Sequence, residues 1–96
     1  MDTPDIAQRL EQFLRASFGI AGDDPGFSRS VDLFEAGYVD SVGVIETLAY
    51  ITDAFGVEVP DEALLSDAFA TIDGMAQVIA GLIQKEADAT SAVRVG

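Results

Sequence analysis

Three stretches of this chain place apolar residues three and four apart, and that spacing restricts it to helices packed on one another. The first holds Ile6, Leu10, Phe13, Leu14 and Phe18. The second holds Val44, Leu48, Ile51 and Phe55, and the third Ile72, Met75, Ala76, Ile79, Leu82 and Ile83. A strand-like alternation occurs only in Gly56-Val57-Glu58-Val59-Pro60. Pro60 makes an extended linker that buries its two valines the better reading. Helix signals bound the three stretches. Thr3 reads as an N-cap, with Pro4 at the first helical position, Asp5 in the first turn and Gly19 as the stop. Gly56 closes the second helix and Thr71 opens the last, where Gly74 and Gly81 weaken it locally. Short helical turns are expected at 61–65 and 66–70, with Phe69 pointing inward. Between the first two helices lies a long connection rich in turn formers, among them Gly22, Asp23, Asp24, Pro25 and Gly26. Val31, Leu33 and Phe34 should anchor it to the core, with a short helical turn around them. The expected fold is all-α. It is a small bundle of three longer helices and one short one, spanning residues 1–86, with a flexible tail over 87–96.

Composition closes off several classes of function. The chain has no Cys and no His, so a disulfide framework, a thiol nucleophile and a Ser-His-Asp triad are all excluded. Seventeen acids against five bases give a net charge of −12. No basic residue lies between Arg29 and Lys85. Such a surface repels nucleic acid and attracts basic patches on proteins. No Asp-x-Asp-x-Asp-Gly loop is present, so no metal site is expected. No run approaches the ~20 apolar residues that a membrane span needs. The acidic start, Met1-Asp2-Thr3-Pro4-Asp5, does not resemble a signal peptide, and a cytoplasmic monomer is expected.

The most informative residues are Asp40 and Ser41, at the head of the second helix. Both residue types cap helix starts well, because a side-chain oxygen accepts from a free N–H of the first turn. A helix start also favours anions. Ser41 should therefore sit near the surface, where its hydroxyl could carry a phosphate ester. The plainer alternative is that the pair only caps the helix. The second helix is apolar on more than one side. Either it is central to the bundle or one stripe is left for partners. The stripe of Val42, Ile45, Glu46, Ala49 and Asp53 begins beside Ser41 and is the one expected to be exposed.

Four short motifs in order resemble the acyl carrier proteins, the phosphopantetheine-bearing carrier family. They are Leu33-Phe34-Glu35-Ala36-Gly37, Asp40-Ser41-Val42, Phe55-Gly56-Val57-Glu58-Val59-Pro60 and Thr71-Ile72-Asp73-Gly74-Met75. The resemblance covers roughly residues 5 to 85. It implies that a phosphopantetheinyl transferase attaches 4′-phosphopantetheine from coenzyme A to Ser41. The cofactor thiol would then hold acyl or aminoacyl groups as thioesters for a ligase or synthase and for downstream enzymes. On this reading the chain is no enzyme, since the chemistry belongs to the cofactor and the partners. Asp40 would orient the site or meet the transferase and its metal, besides capping the helix. Val42, Ile45, Glu46, Ala49 and Asp53 would be the partner contacts. Gly43 stands where an acid is frequent in fatty-acid carriers. Gly-Tyr-Val-Asp-Ser is more similar to discrete stand-alone acyl, aminoacyl or D-alanyl carriers, including those of polyketide and non-ribosomal peptide pathways. The alternative is a non-carrying interaction module on the same helical fold.

Overall fold

The computed structural model describes the backbone of residues 2–95 and the side chains of residues 2–87. Four α-helices run in the order α1 (Thr3–Phe18), α2 (Ser41–Phe55), α3 (Asp61–Leu64) and α4 (Ile72–Val95), with a 3-10 helix at Asp67–Ala70 before α4. The small all-α bundle is as expected, with no strand among the described residues. The tail expected over 87–96 falls almost wholly on residues whose side chains lie outside the described set.

The helix ends follow the sequence signals closely. α1 begins one residue earlier than read: Asp2 is the N-cap and Thr3 is already helical, with Pro4 in the first turn. Gly19 and Gly56 end α1 and α2 in the left-handed conformation, at φ 64° and 69°. A side chain there would be strained, which is why glycine stops both helices. Thr71 caps α4, its Oγ1 accepting the Gly74 N–H at 2.9 Å.

One core runs through the bundle. Ile6, Leu10 and Leu14 of α1 face Ile72, Met75, Ala76 and Ile79 of α4, and all seven are essentially inaccessible. Phe69 joins them as expected, and so does Val57. At α2 the buried line is Gly43, Thr47 and Ile51, with Val44, Leu48 and Phe55 only half-buried beside it. The apolar positions alone had suggested Val44, Leu48, Ile51 and Phe55. Thr47 fits the interior because its hydroxyl donates to the Gly43 carbonyl at 2.8 Å, leaving its methyl to pack.

The long connection is pinned at both ends. Leu33 donates to the Ala70 carbonyl and Asp73 to the Arg29 carbonyl, each at 2.9 Å, which ties it to the start of α4. Leu33 is buried and Val31 half-buried, but Phe34 is 40% exposed and anchors nothing. A single helical turn forms there, as expected, with the Ala36 N–H donating to the Asp32 carbonyl at 3.0 Å. Asp32 Oδ1 accepts from Phe34 and Glu35 at its start, and the Phe34 ring faces outward. On α1, Arg15 donates to Glu11 and to the Ala21 carbonyl, and its guanidinium lies 4.5 Å from the Phe27 ring centre. Glu11 also accepts from Arg29 at 3.0 Å. The Arg29 hydrogen bond, supported by Arg15, holds the Glu11 carboxyl below its ordinary range against a smaller opposing effect of burial.

A depressed carboxyl stabilises the fold above its unfolded pKa, and that contribution is lost as pH falls through the folded value. Glu11→Gln should therefore lower stability by less than about 1 kcal/mol at neutral pH, because both partners are partly exposed. In strong acid the two proteins should unfold alike. Urea denaturation at the two pH values checks this, and an equal deficit at both would remove the carboxylate as its cause.

Candidate functional site

The chain approaches α2 through Tyr38 and Val39, whose N–H groups both donate to the Leu33 carbonyl, at 2.9 and 3.1 Å. Val39 is buried. The Tyr38 ring meets Phe27 edge-on at 5.3 Å, and Phe27 in turn lies under Arg15. Partial burial, and then a hydrogen bond to the Asp24 carboxylate, raise the Tyr38 phenol above its ordinary pKa. These contacts hold the turn that delivers Asp40 and Ser41.

Asp40 is the cap. Its Oδ1 accepts the Gly43 N–H at 2.8 Å and its carbonyl accepts the Val44 N–H at 3.0 Å. Ser41 is the first helical residue and is exposed, and its hydroxyl has no partner among the described residues. The two residues have separate tasks. One satisfies the helix start, and the other is left free at the positive end of the α2 dipole.

Gly43 makes this arrangement possible. A Cβ at that position would lie 3.0 Å from two Phe18 ring atoms and from a Val39 methyl. The Phe18 ring and Val39 fill the space beneath the first turn. An acid at position 43 would be pressed against an aromatic ring, an environment that disfavours its charge.

Val42, Ile45, Glu46, Ala49 and Asp53 form one stripe at helical spacing, and all five are exposed. Val42 and Ile45 are 62% and 67% accessible, unusual values for aliphatic side chains. Phe34, expected to anchor the long connection, and Leu65, at 84%, which the sequence reading did not single out, are further exposed apolar residues. Tyr50 was also passed over. It stacks on Phe13 of α1 with ring centres 4.2 Å apart, and its hydroxyl reaches the Arg9 carbonyl at 3.4 Å.

Asp40→Ala removes the cap but no packing, so it should cost about 1 kcal/mol of stability. Thermal melting checks this, and an unchanged midpoint would mean that Asp40 is not what holds the helix start.

The site is an exposed serine at a helix start of a small helical bundle, beside the capping carboxylate of Asp40. The chain lacks His and Cys. Among the described residues no cluster of acids could hold a metal ion, and no helix is long and apolar enough to cross a membrane. A family model described as phosphopantetheine attachment site matches residues 8–79. The chain belongs to this family, and it is therefore a non-catalytic carrier whose prosthetic group is covalently bound 4′-phosphopantetheine. Such a carrier works with a phosphopantetheinyl transferase and with partner enzymes. No curated protein matches the chain. The start of α2 suits the group: it offers an uncovered hydroxyl, an environment that favours a phosphate, and no side chain packed over either.

Proposed function

We propose that Ser41 bears the phosphopantetheine and that the chain carries acyl or aminoacyl thioesters on it. The observation that carries this reading is the exposed, unpartnered Ser41 hydroxyl beside a cap that Asp40 alone supplies. A transferase can approach such a hydroxyl without unfolding the helix. Once attached, the arm supplies a thiol that the chain itself lacks. Asp40 keeps the α2 start formed while Ser41 is modified, and it is also placed to meet the transferase and its metal. The carrier acts as a discrete cytoplasmic monomer of a specialised-metabolite pathway, of the polyketide or non-ribosomal peptide kind. The likeness of Gly37-Tyr38-Val39-Asp40-Ser41 to stand-alone carriers supports that assignment.

Incubation with coenzyme A, Mg²⁺ and a broad-specificity phosphopantetheinyl transferase should add one phosphopantetheine to the chain. A folded chain that stays unmodified, with a control carrier loaded in the same tube, would favour a non-carrying interaction module.

The exposed α2 stripe is the surface partners read, with apolar Val42, Ile45 and Ala49 at its centre and Glu46 and Asp53 as its acids. Glu46→Lys and Asp53→Lys should each slow transfer between partner and carrier while leaving the melting temperature nearly unchanged. The loss should shrink as salt rises, because the attraction is screened. Unchanged rates at low salt would remove both acids from the recognition surface.

A further inference from the structure

The connection between α1 and α2 turns tightly at Asp24-Pro25-Gly26-Phe27. The Phe27 N–H donates to the Asp24 carbonyl at 3.3 Å, and the Gly26 N–H to Asp24 Oδ1 at 2.8 Å. Tyr38, three residues before Ser41, closes over this turn. Its ring meets the buried Phe27 ring edge-on, and its hydroxyl donates to the Asp24 carboxylate. The fit is close: a Cβ on Gly26 would lie 2.9 Å from the Tyr38 hydroxyl and 3.4 Å from Asp24 Oδ1. From Tyr38 the contacts lead on towards the serine. Val39 is buried, and one of its methyls lies 3.0 Å from where a Cβ on Gly43 would be. The Gly43 N–H is in turn the donor that the Asp40 carboxylate holds. A displacement of Tyr38 therefore passes through Val39 and Gly43 to the first turn of α2.

We infer that Tyr38 is a positioning residue for the loading of Ser41: clasped to the Asp24–Gly26 turn, it holds the start of α2 in the form that leaves the serine hydroxyl free. The inference rests on the reading of Ser41 as the attachment point. It adds a residue that sets how readily the transferase engages that serine without itself meeting the reacting atoms. Residues 38–40 are non-helical, so side-chain contacts weigh heavily in where that segment lies. A protein whose binding-competent form is only partly populated binds more weakly by that fraction. Loosening the clasp lowers the fraction in the free carrier. Once the transferase has seated the carrier, the arrangement is restored and the bond-forming step is unchanged. The signature is a raised KM for the carrier with kcat unaltered, which a simple loss of stability does not produce while the protein stays folded.

The test is steady-state loading of the full chain by a broad-specificity phosphopantetheinyl transferase with coenzyme A and Mg²⁺, read by mass over a range of carrier concentrations. Tyr38→Phe keeps the ring on Phe27 and loses the hydroxyl. It should raise KM about threefold, the order expected for one hydrogen bond, and leave kcat as in the parent. Gly26 is not in the left-handed conformation, so Gly26→Ala brings only a methyl set against the Tyr38 hydroxyl, and it should raise KM likewise. The two effects should not multiply. With the hydroxyl gone the methyl meets nothing closer than 3.4 Å, so the double variant should match Tyr38→Phe. Asp24→Asn, whose side-chain carbonyl still accepts, should load as the parent does. Melting establishes that each variant is folded under the assay conditions, and NMR follows the Gly43 amide, which should shift in both single variants. A parent-like KM in both, effects that multiply in the double variant, or a loss confined to kcat would overturn the inference, as would a Gly43 amide that does not move. A parent chain left unloaded would instead fail the carrier reading, and the Gly43 amide would still report whether Tyr38 acts on α2.

Discussion

Gly74→Ala should destabilise the fold by about 2–3 kcal/mol, the upper part of the range for an overpacked site. Gly81→Ala, seven residues further along the same helix, should stabilise it by about 0.5–1 kcal/mol. A Cβ on Gly74 would lie 1.7 Å from the carbonyl oxygen of Ala68 and 2.6 Å from its carbonyl carbon. The obstacle is backbone, so no rotamer change relieves it. The 3-10 helix would have to move away from α4, taking with it the buried Phe69 and straining the Ala70 carbonyl that accepts from Leu33. Alanine's better helix propensity, worth about 1 kcal/mol, is outweighed. At Gly81 a Cβ meets nothing within 4 Å, and the propensity gain stands unopposed. Urea denaturation reads both variants. Equal stabilisation by the two substitutions would show that the 3-10 helix does not pack this closely on α4.

Ser41→Ala should abolish loading completely and leave stability within about 0.5 kcal/mol of the parent, as at an ordinary surface position. From sequence alone Ser41 could itself have been the cap, and its loss would then have cost about 1 kcal/mol. The geometry moves that cost to Asp40, whose carboxylate holds the Gly43 N–H. Alanine at the first helical position keeps the backbone of α2, and no hydrogen bond of the Ser41 hydroxyl is lost. Circular dichroism and melting should therefore match the parent protein while the mass after transferase treatment stays that of the apo chain. A Ser41→Ala protein that is unfolded would make the serine chiefly structural. One that is folded and still loaded would place the arm elsewhere.

How much of this could be read in the sequence varied with the kind of information needed. Helix ends are local matters. Gly19, Gly56 and Thr71 act through their own backbone or hydroxyl, and the boundaries they imply match the structure to within about a residue. Val57 was legible as core from the alternation of Gly56-Val57-Glu58-Val59-Pro60, and Phe69 as the one large apolar side chain of residues 66–70. The inward face of α2 was not legible, because the helix is apolar on both sides and its period alone does not choose between them. The choice depends on Phe18 lying across Gly43 and on Thr47 bonding back to the Gly43 carbonyl, which are tertiary and conformational facts. Phe34 was misread for a related reason: an Asp32 turn, not apolar character, decides where its ring goes. At Gly74 the sequence showed a helix weakened by glycine, whereas the structure shows a glycine demanded by a neighbour six residues earlier. At the site, the Asp40-Ser41 pair was legible and the division of its labour was not.

The central claim is that the arm is attached at Ser41 and nowhere else. The most direct test is to load the chain with the transferase, cleave it before aspartates and sequence the modified peptide by mass spectrometry. Cleavage before Asp40 and Asp53 releases residues 40–52, a peptide in which Ser41 is the only serine. The account predicts one phosphopantetheine on that peptide, assigned to Ser41, and none on peptides holding Ser17, Ser28, Ser30, Ser66 or Ser91. A loaded chain with residues 40–52 unmodified would contradict it.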